Sequence, residues 1–363
     1  MRRPLETWRK IFHERRRRSI EWEPNIVDGV CDNGCTPRSE WFDDDHQIEE
    51  MICDEAEDFN YDTLWELGDM PVLKYNDSFV AWQAKEIEAM DALSDAGYCL
   101  LPWVVLKALH FDGEIKSDVL YYSQGSRPSC MGHADTFAYH SALLTAIGRG
   151  ASLEYDPCNA IYTWAWSKNG SMNGGQSVSA MSAAANKLGH YPIRFVGSDN
   201  LNYNATKQKN YEPEAVQRQS AIMFLTKTKA DEIADQIILA CHAGLAVAVG
   251  NSTAVSGSTR DKNGIKVATL SGSWAHATSF AGYRKCSGTE YVGWVNSHGA
   301  RYASSDEGEP ADIAWMPRET VVRFASTMTL YGAPYIVFPE ATWRESKSIT
   351  PRQKIPFPNN FRR

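Results

Sequence analysis

Between residues 118 and 340 the apolar residues change their spacing once, and that change restricts the fold more than any other property of the chain. After Cys130, Phe137, Ala138, Leu143, Leu144 and Ile147 recur on one helical face, until Gly148 and Gly150 end the pattern. Further helices are predicted over residues 176–188 and 229–242. Beyond Gly244 the period shortens to that of strands, over residues 245–249, 275–283, 291–296 and 328–337, with Gly, Ser and Asn turns between them. Helices first and strands second predict an α+β fold with segregated lobes, helical over about 116–225 and β over about 226–340. A cleft between two such lobes is a usual place for a site.

Upstream lies an accessory region, residues 1–115. It opens with an arginine-rich helix candidate over residues 5–20, including the block Arg15 to Arg18, and passes into an acidic stretch with a helix candidate over 45–58. Another helix is predicted over 78–96, where Phe79, Trp82, Ile87, Met90 and Leu93 approximate helical spacing, and the mostly apolar 100–109 should be buried. A basic tail, residues 341–363, closes the chain. The bland reading of these charge runs is solvated surface. The sharper one is that the basic termini dock on an anionic or protein partner. The formal net charge of -8 argues against nucleic-acid binding by the whole surface.

No apolar core follows the basic N-terminus as a signal peptide would require, and the longest apolar run, residues 237–249, is too short to span a bilayer. An intracellular protein or a virion component is expected, without membrane attachment. The eight cysteines are then expected to be reduced thiols.

Chemistry concentrates in three separated segments. Gln124-Gly125-Ser126-Arg127-Pro128-Ser129-Cys130 leads into the first helix, Trp274-Ala275-His276-Ala277 lies far downstream, and Val295-Asn296-Ser297-His298-Gly299 follows. A thiol at a helix N-terminus near an imidazole is favoured as thiolate, the form that attacks carbonyl carbon. His276 would be base and then general acid, Asn296 would fix its tautomer, and Gln124 would offer an N–H to a developing oxyanion. A lone buried cysteine is more often inert. The combination reverses that balance.

These segments resemble the papain-like cysteine peptidases. The family's Gln-Gly-x-Cys-Gly-Ser-Cys-Trp signature is matched by Gln124, Gly125, Ser129 and Cys130; its histidine segment by His276-Ala277-Thr278 with Gly282-Tyr283; its Asn-Ser-Trp-Gly segment by Asn296-Ser297-His298-Gly299; and its Cys-Asn-Gly-Gly loop by Met172-Asn173-Gly174-Gly175. The resemblance covers about residues 118–340. It implies a helical lobe plus a β-barrel-like lobe, a Cys130–His276–Asn296 triad with Gln124 in the oxyanion hole, and a substrate-binding set of Asn173, Gly174, Gly175 and His298. Gly175 would pair with an extended peptide or protein substrate, and no cofactor or metal is implied. Arg127 and Met172 stand where the family usually has a disulfide. Met131 replaces the tryptophan after the nucleophile. His298 replaces the tryptophan that shields the Asn–His hydrogen bond, a loss expected to loosen His276.

The competing reading is a structural or assembly protein, such as a phage-virion component, on the same scaffold with little catalysis. A thiol amidase acting on cell-wall peptides is a third. Weaker candidates are His133, one helical turn beyond Cys130, and a loose zinc-like grouping of Cys31, Cys35, His46 and Cys53. Cys99, Cys158, Cys241 and Cys286 read as ordinary thiols, and Tyr162-Thr163-Trp164-Ala165-Trp166 as lobe packing rather than a ligand cage.

Overall fold

The computed structural model describes residues 26–27, 30–31, 72–73, 77–95, 101–109, 123–149, 151, 153, 155–198, 201–298, 313–328 and 332–339. The chain divides into two units, Met1–Asp43 and Asp44–Arg363. In the first, strands β1 (Ile26–Val27) and β2 (Val30–Cys31) pair antiparallel. The helices expected over 5–20 and 45–58 and the basic tail lie outside the described residues, as do the side chains of the zinc-like grouping.

In the second unit the described elements run as follows. β3 (Val72–Leu73), α1 (Asp77–Asp95) and α2 (Pro102–Leu109) precede α3 (Cys130–Gly148). Then come β4 (Cys158–Asn159), α4 (Ala160–Trp166), α5 (Val178–Lys187), β5 (Tyr191–Pro192), α6 (Ile193–Val196) and α7 (Ala205–Val216). The strand-rich half follows: β6 (Ser220–Phe224), α8 (Ala230–His242), β7 (Ala246–Arg260), β8 (Lys266–Cys286), β9 (Thr289–Val295), β10 (Ile313–Pro317), α9 (Arg318–Ala325) and β11 (Tyr335–Pro339). Most helices precede the long strands, and the fold is α+β. No described helix is long and apolar enough to cross a membrane.

One sheet in the order β10-β9-β8-β7-β11-β6-β3 organises this unit. It is antiparallel apart from the β3–β6 pair and a single parallel pairing of Trp315 with Val267 between β10 and β8. That pairing turns the start of β8 back onto β10 while its end runs along β9, so the three strands curl toward a closed, barrel-like form. Irregularities in the β7–β8 pairing between Asn251 and Gly257 bend the long hairpin enough for this. The region expected to be accessory contributes here: β3 adds a sheet edge, and Trp103 of α2 packs edge-on against Trp315 with ring centroids 5.8 Å apart.

Helix α3 is buried on every side, with only Ala146 absent from its buried residues. The sequence suggested a single apolar face. Small residues and the near-absence of charge instead let neighbours pack all around it. α2, α4 and α5 pack against it, as do β7, β8 and β11. The approach of α4 is close: a Cβ on Gly132 would sit 2.6 Å from Cβ of Trp164 and 2.9 Å from the carbonyl oxygen of Ala160. Gly132→Ala should cost about 1–3 kcal/mol, read as a lower urea midpoint; an unchanged midpoint would contradict this packing.

The polar groups of α3 are mostly neutral. Burial lowers His133 to about 4, and His140 and His190 to about 3, while it raises Asp135 to about 7. Tyr335 donates to Asp135 Oδ1 at 2.6 Å, and His190 Nε2 lies 3.5 Å from Oδ2; below about pH 7 this is a contact of uncharged groups rather than an ion pair. His140 Nε2 accepts the Cys158 backbone N–H at 2.9 Å. Between about pH 4 and 6.5 the unfolded chain protonates three histidines that the folded chain keeps neutral, while the folded chain holds one extra proton on Asp135. The unfolded state therefore binds more protons, and stability falls on acidification through this window, at about 1.4 kcal/mol per pH unit for each net proton. A urea midpoint that does not move between pH 6.5 and 4 would refute this.

Candidate active site

Cys130 opens α3. Its N-cap, Ser129, makes no side-chain capping bond, so the first-turn amides keep their polarity directed toward the thiol end of the helix. The preceding turn is held across the molecule. Gln124 N–H donates to the Ser297 carbonyl at 2.8 Å, and Ser123 bridges His298. The Gln124 side chain is fixed at both ends, since Nε2 donates to the Arg127 carbonyl at 2.8 Å and Oε1 accepts from the Ser297 hydroxyl. One Nε2 hydrogen is thus committed, and a carboxamide nitrogen carries two.

His276 and Asn296 come from neighbouring antiparallel strands, β8 and the end of β9, whose pairing of Ser279 with Val295 brings the two side chains together. His276 Nε2 lies 2.6 Å from Asn296 Oδ1. The same oxygen accepts the Ser297 backbone N–H at 2.9 Å and lies 3.0 Å from His298 Nδ1. A backbone N–H can only donate, so the atom facing it must be the amide oxygen. Both histidines must then present N–H groups to it. Neutral His276 is fixed as the Nε2–H tautomer, and its lone pair sits on Nδ1, the nitrogen turned away from Asn296.

The helix and the strands meet beside these groups. Ser279 donates to the Ala134 carbonyl at 2.5 Å. His133, Ala134 and Phe137 of α3 share a cavity of about 10 Å³ with Ala277, Thr278 and Asn296, among other residues. The first two turns of the cysteine helix therefore lie against the strands that carry His276 and Asn296. Cys130 is 4% exposed, His276 1% and Asn296 4%.

The loss of cover expected from His298 does not occur. The Trp274 ring lies 4.6 Å from the His276 ring and stacks on His298 at 5.8 Å and 15°, while His298 lies 4.5 Å from His276. Trp274 and His298 together shield the imidazole that one tryptophan would otherwise cover. Trp274 and Ser297 stand in two of the motif segments, but the motifs by themselves give neither a role. For Trp274 a signal existed, because a residue two before His276 on a strand shares its face.

His133 is no rival base. Its Nδ1–H donates to the Ser129 carbonyl at 2.9 Å, and burial lowers its pKa to about 4. Asn173 and Gly174 sit exposed in the loop before α5 and Gly175 is buried there. Arg127 donates to the Leu201 carbonyl at 2.8 Å, and Met172 packs against the core. Burial raises the pKa of the Cys158 and Cys241 thiols, which keeps them protonated. Trp164 lies in the core, and no described group of three His, Cys, Asp or Glu could hold a metal ion.

No family model matches the chain, and no curated protein does. Among solved structures it is similar to digestive procathepsin L 3 of Tenebrio molitor, with 15% identity over 60% of this chain and 65% of that one, and a TM-score of 0.40. It is similar to the ragweed cysteine protease Amb a 11 in its proform, with 14% identity over 60% of each chain and a TM-score of 0.41. It is also similar to xylellain, a cysteine protease from Xylella fastidiosa, with 14% identity over 60% of this chain and 82% of that one, and a TM-score of 0.42. The chain spans less than two thirds of the length of the first two. At such identities and TM-scores the likeness carries no argument about activity, and the chemistry has to be read from this chain's own side chains.

The ring stack makes its own prediction. The His276 Nε2–H proton should exchange slowly with water, and Trp274→Ala should speed its exchange at least about tenfold, as followed by imidazole NMR resonances. Equal exchange in the two proteins would show that Trp274 is not the cover.

Proposed function

We propose that this chain is a papain-like thiol hydrolase that cleaves peptide bonds through an acyl-enzyme on Cys130. The observation that carries this reading is the buried His276–Asn296 hydrogen bond, set on strands that lie against the helix Cys130 begins. The Nε2–H tautomer leaves Nδ1 of His276 to take the thiol proton. The Cys130 thiolate then attacks the scissile carbonyl, and the developing oxyanion takes N–H donors from the Cys130 backbone and from Gln124 Nε2. His276 returns the proton to the leaving amine, and a water activated by the same imidazole releases the acyl group. Asn296 keeps the ring aligned through both steps, with His298 holding the carboxamide from its other side.

Iodoacetamide should alkylate Cys130 faster than Cys158 or Cys241, whose thiols are raised by burial. The pH profile of that reaction should change in His276→Ala. Cys130→Ala should abolish peptide hydrolysis, and Gln124→Ala should slow it by roughly 10² to 10³-fold. Full activity in either variant would end the assignment. The burial of Cys130 and His276 favours a second reading, a scaffold that binds without turnover. Selective alkylation of Cys130 without hydrolysis of any peptide in a mixed-sequence library would favour that reading.

A further inference from the structure

We propose that Arg127 is a positioning residue: tied to the Leu201 carbonyl, it holds the turn that aims the Gln124 carboxamide at the developing oxyanion. The inference rests on the hydrolase reading above and gives a duty to a side chain and a chain segment that reading does not use.

Gln124 opens a tight turn. Arg127 N–H returns to the Gln124 carbonyl at 3.1 Å, with Gly125 and Ser126 between them. Gly125 has φ +55, in the left-handed region that glycine enters without strain. Across the same turn Gln124 Nε2 donates to the Arg127 carbonyl at 2.8 Å. Arg127 thus holds both the backbone and the side chain of Gln124, while the Ser297 hydroxyl holds the oxygen end of the carboxamide. A displaced Arg127 would release the nitrogen end and leave the oxygen end as a pivot.

What fixes Arg127 lies 74 residues further along the chain. Its Nε donates to the Leu201 carbonyl at 2.8 Å. The Leu201 side chain meets the turn at a second point, since a Cβ on Gly125 would sit 2.7 Å from its Cδ2. The segment that carries Leu201 is itself braced. The Tyr203 ring lies 5.5 Å from that of Tyr162 on α4, and Asn204 caps α7 by accepting the Lys207 N–H at 2.9 Å. A hydrogen bond from a guanidinium is short and directional. At an exposed position it adds little to stability, so its effect falls on where the turn sits. An oxyanion donor works only when already aimed as charge develops, and a misplacement of about 1 Å costs rate.

The test uses the full chain and two substitutions at one position. Glutamine places Nε2 as many bonds from the backbone as arginine places Nε, so Arg127→Gln keeps a donor for Leu201. Arg127→Met has similar reach and no donor. Both remove the same charge, and a difference between them belongs to the hydrogen bond. Hydrolysis of the best-cleaved member of a fluorogenic peptide library gives kcat and KM, and exchange of the Gln124 carboxamide protons is followed by NMR. Arg127→Met should lower kcat roughly tenfold with KM within about twofold, and should speed the Gln124 exchange. Arg127→Gln should stay within about threefold of wild type in kcat. Added to Gln124→Ala, Arg127→Met should cost no more than about a further twofold, because its effect passes through that carboxamide. Equal losses in the Met and Gln variants, or full additivity with Gln124→Ala, overturn the positioning role. Unchanged Gln124 exchange in Arg127→Met overturns the tether, whether or not the chain is hydrolytic. A wild-type chain that cleaves no member of the library is a different result: it removes the hydrolase reading, while the exchange measurement still decides the tether.

Discussion

One carbonyl oxygen, Asn296 Oδ1, holds the site together. It receives the N–H of His276, the N–H of His298 and the backbone N–H of Ser297. The backbone donor fixes which end of the carboxamide faces inward, and the carboxamide then fixes the state of two imidazoles. Ser297 extends the arrangement, since its carbonyl and hydroxyl both bind Gln124. Tautomer, ring orientation and oxyanion donor are therefore tied to one short segment after β9. His276, Asn296 and Ser297 are all buried, and hydrogen bonds there are worth more than at the surface.

The helix that begins at Cys130 has an unusual interior. Its first three turns bring His133, Asp135, Thr136 and His140 into full burial, and both histidines stay neutral there. A charged network in this place would pull water into the wall behind the thiol. Neutral polar groups instead let α3 run through the centre of the unit with neighbours on all sides. Its N-terminus then arrives at the strands in one fixed position, helped by the Ser279–Ala134 bond.

Much of this was legible in the residues. The start and end of α3 followed from the turn before Cys130 and from Gly148, and the strand pattern around His276 and Asn296 located both side chains. Other parts were hidden for identifiable reasons. β11 begins at Tyr335, well beyond the predicted start at 328, because Gly332 and Pro334 interrupt the run. β6 is a five-residue buried stretch with no alternation to mark it. α7 is polar and carries Pro213, which masked it; its signal was Asn204, whose side chain accepts the Lys207 N–H as an N-cap. The cover over His276 was hidden because it comes from Trp274, upstream on the same strand, and not from the position of His298 alone.

The irregular pairing between Ala281 and Tyr283 separates the functional part of β8 from its end. Side chains alternate faces along a strand, so a one-residue slip of β8 against β9 would carry the imidazole to the opposite side of the sheet. With the offset confined to the stretch beyond Ala281, an insertion or deletion near the Ser287–Gly288 turn can be absorbed there without moving His276.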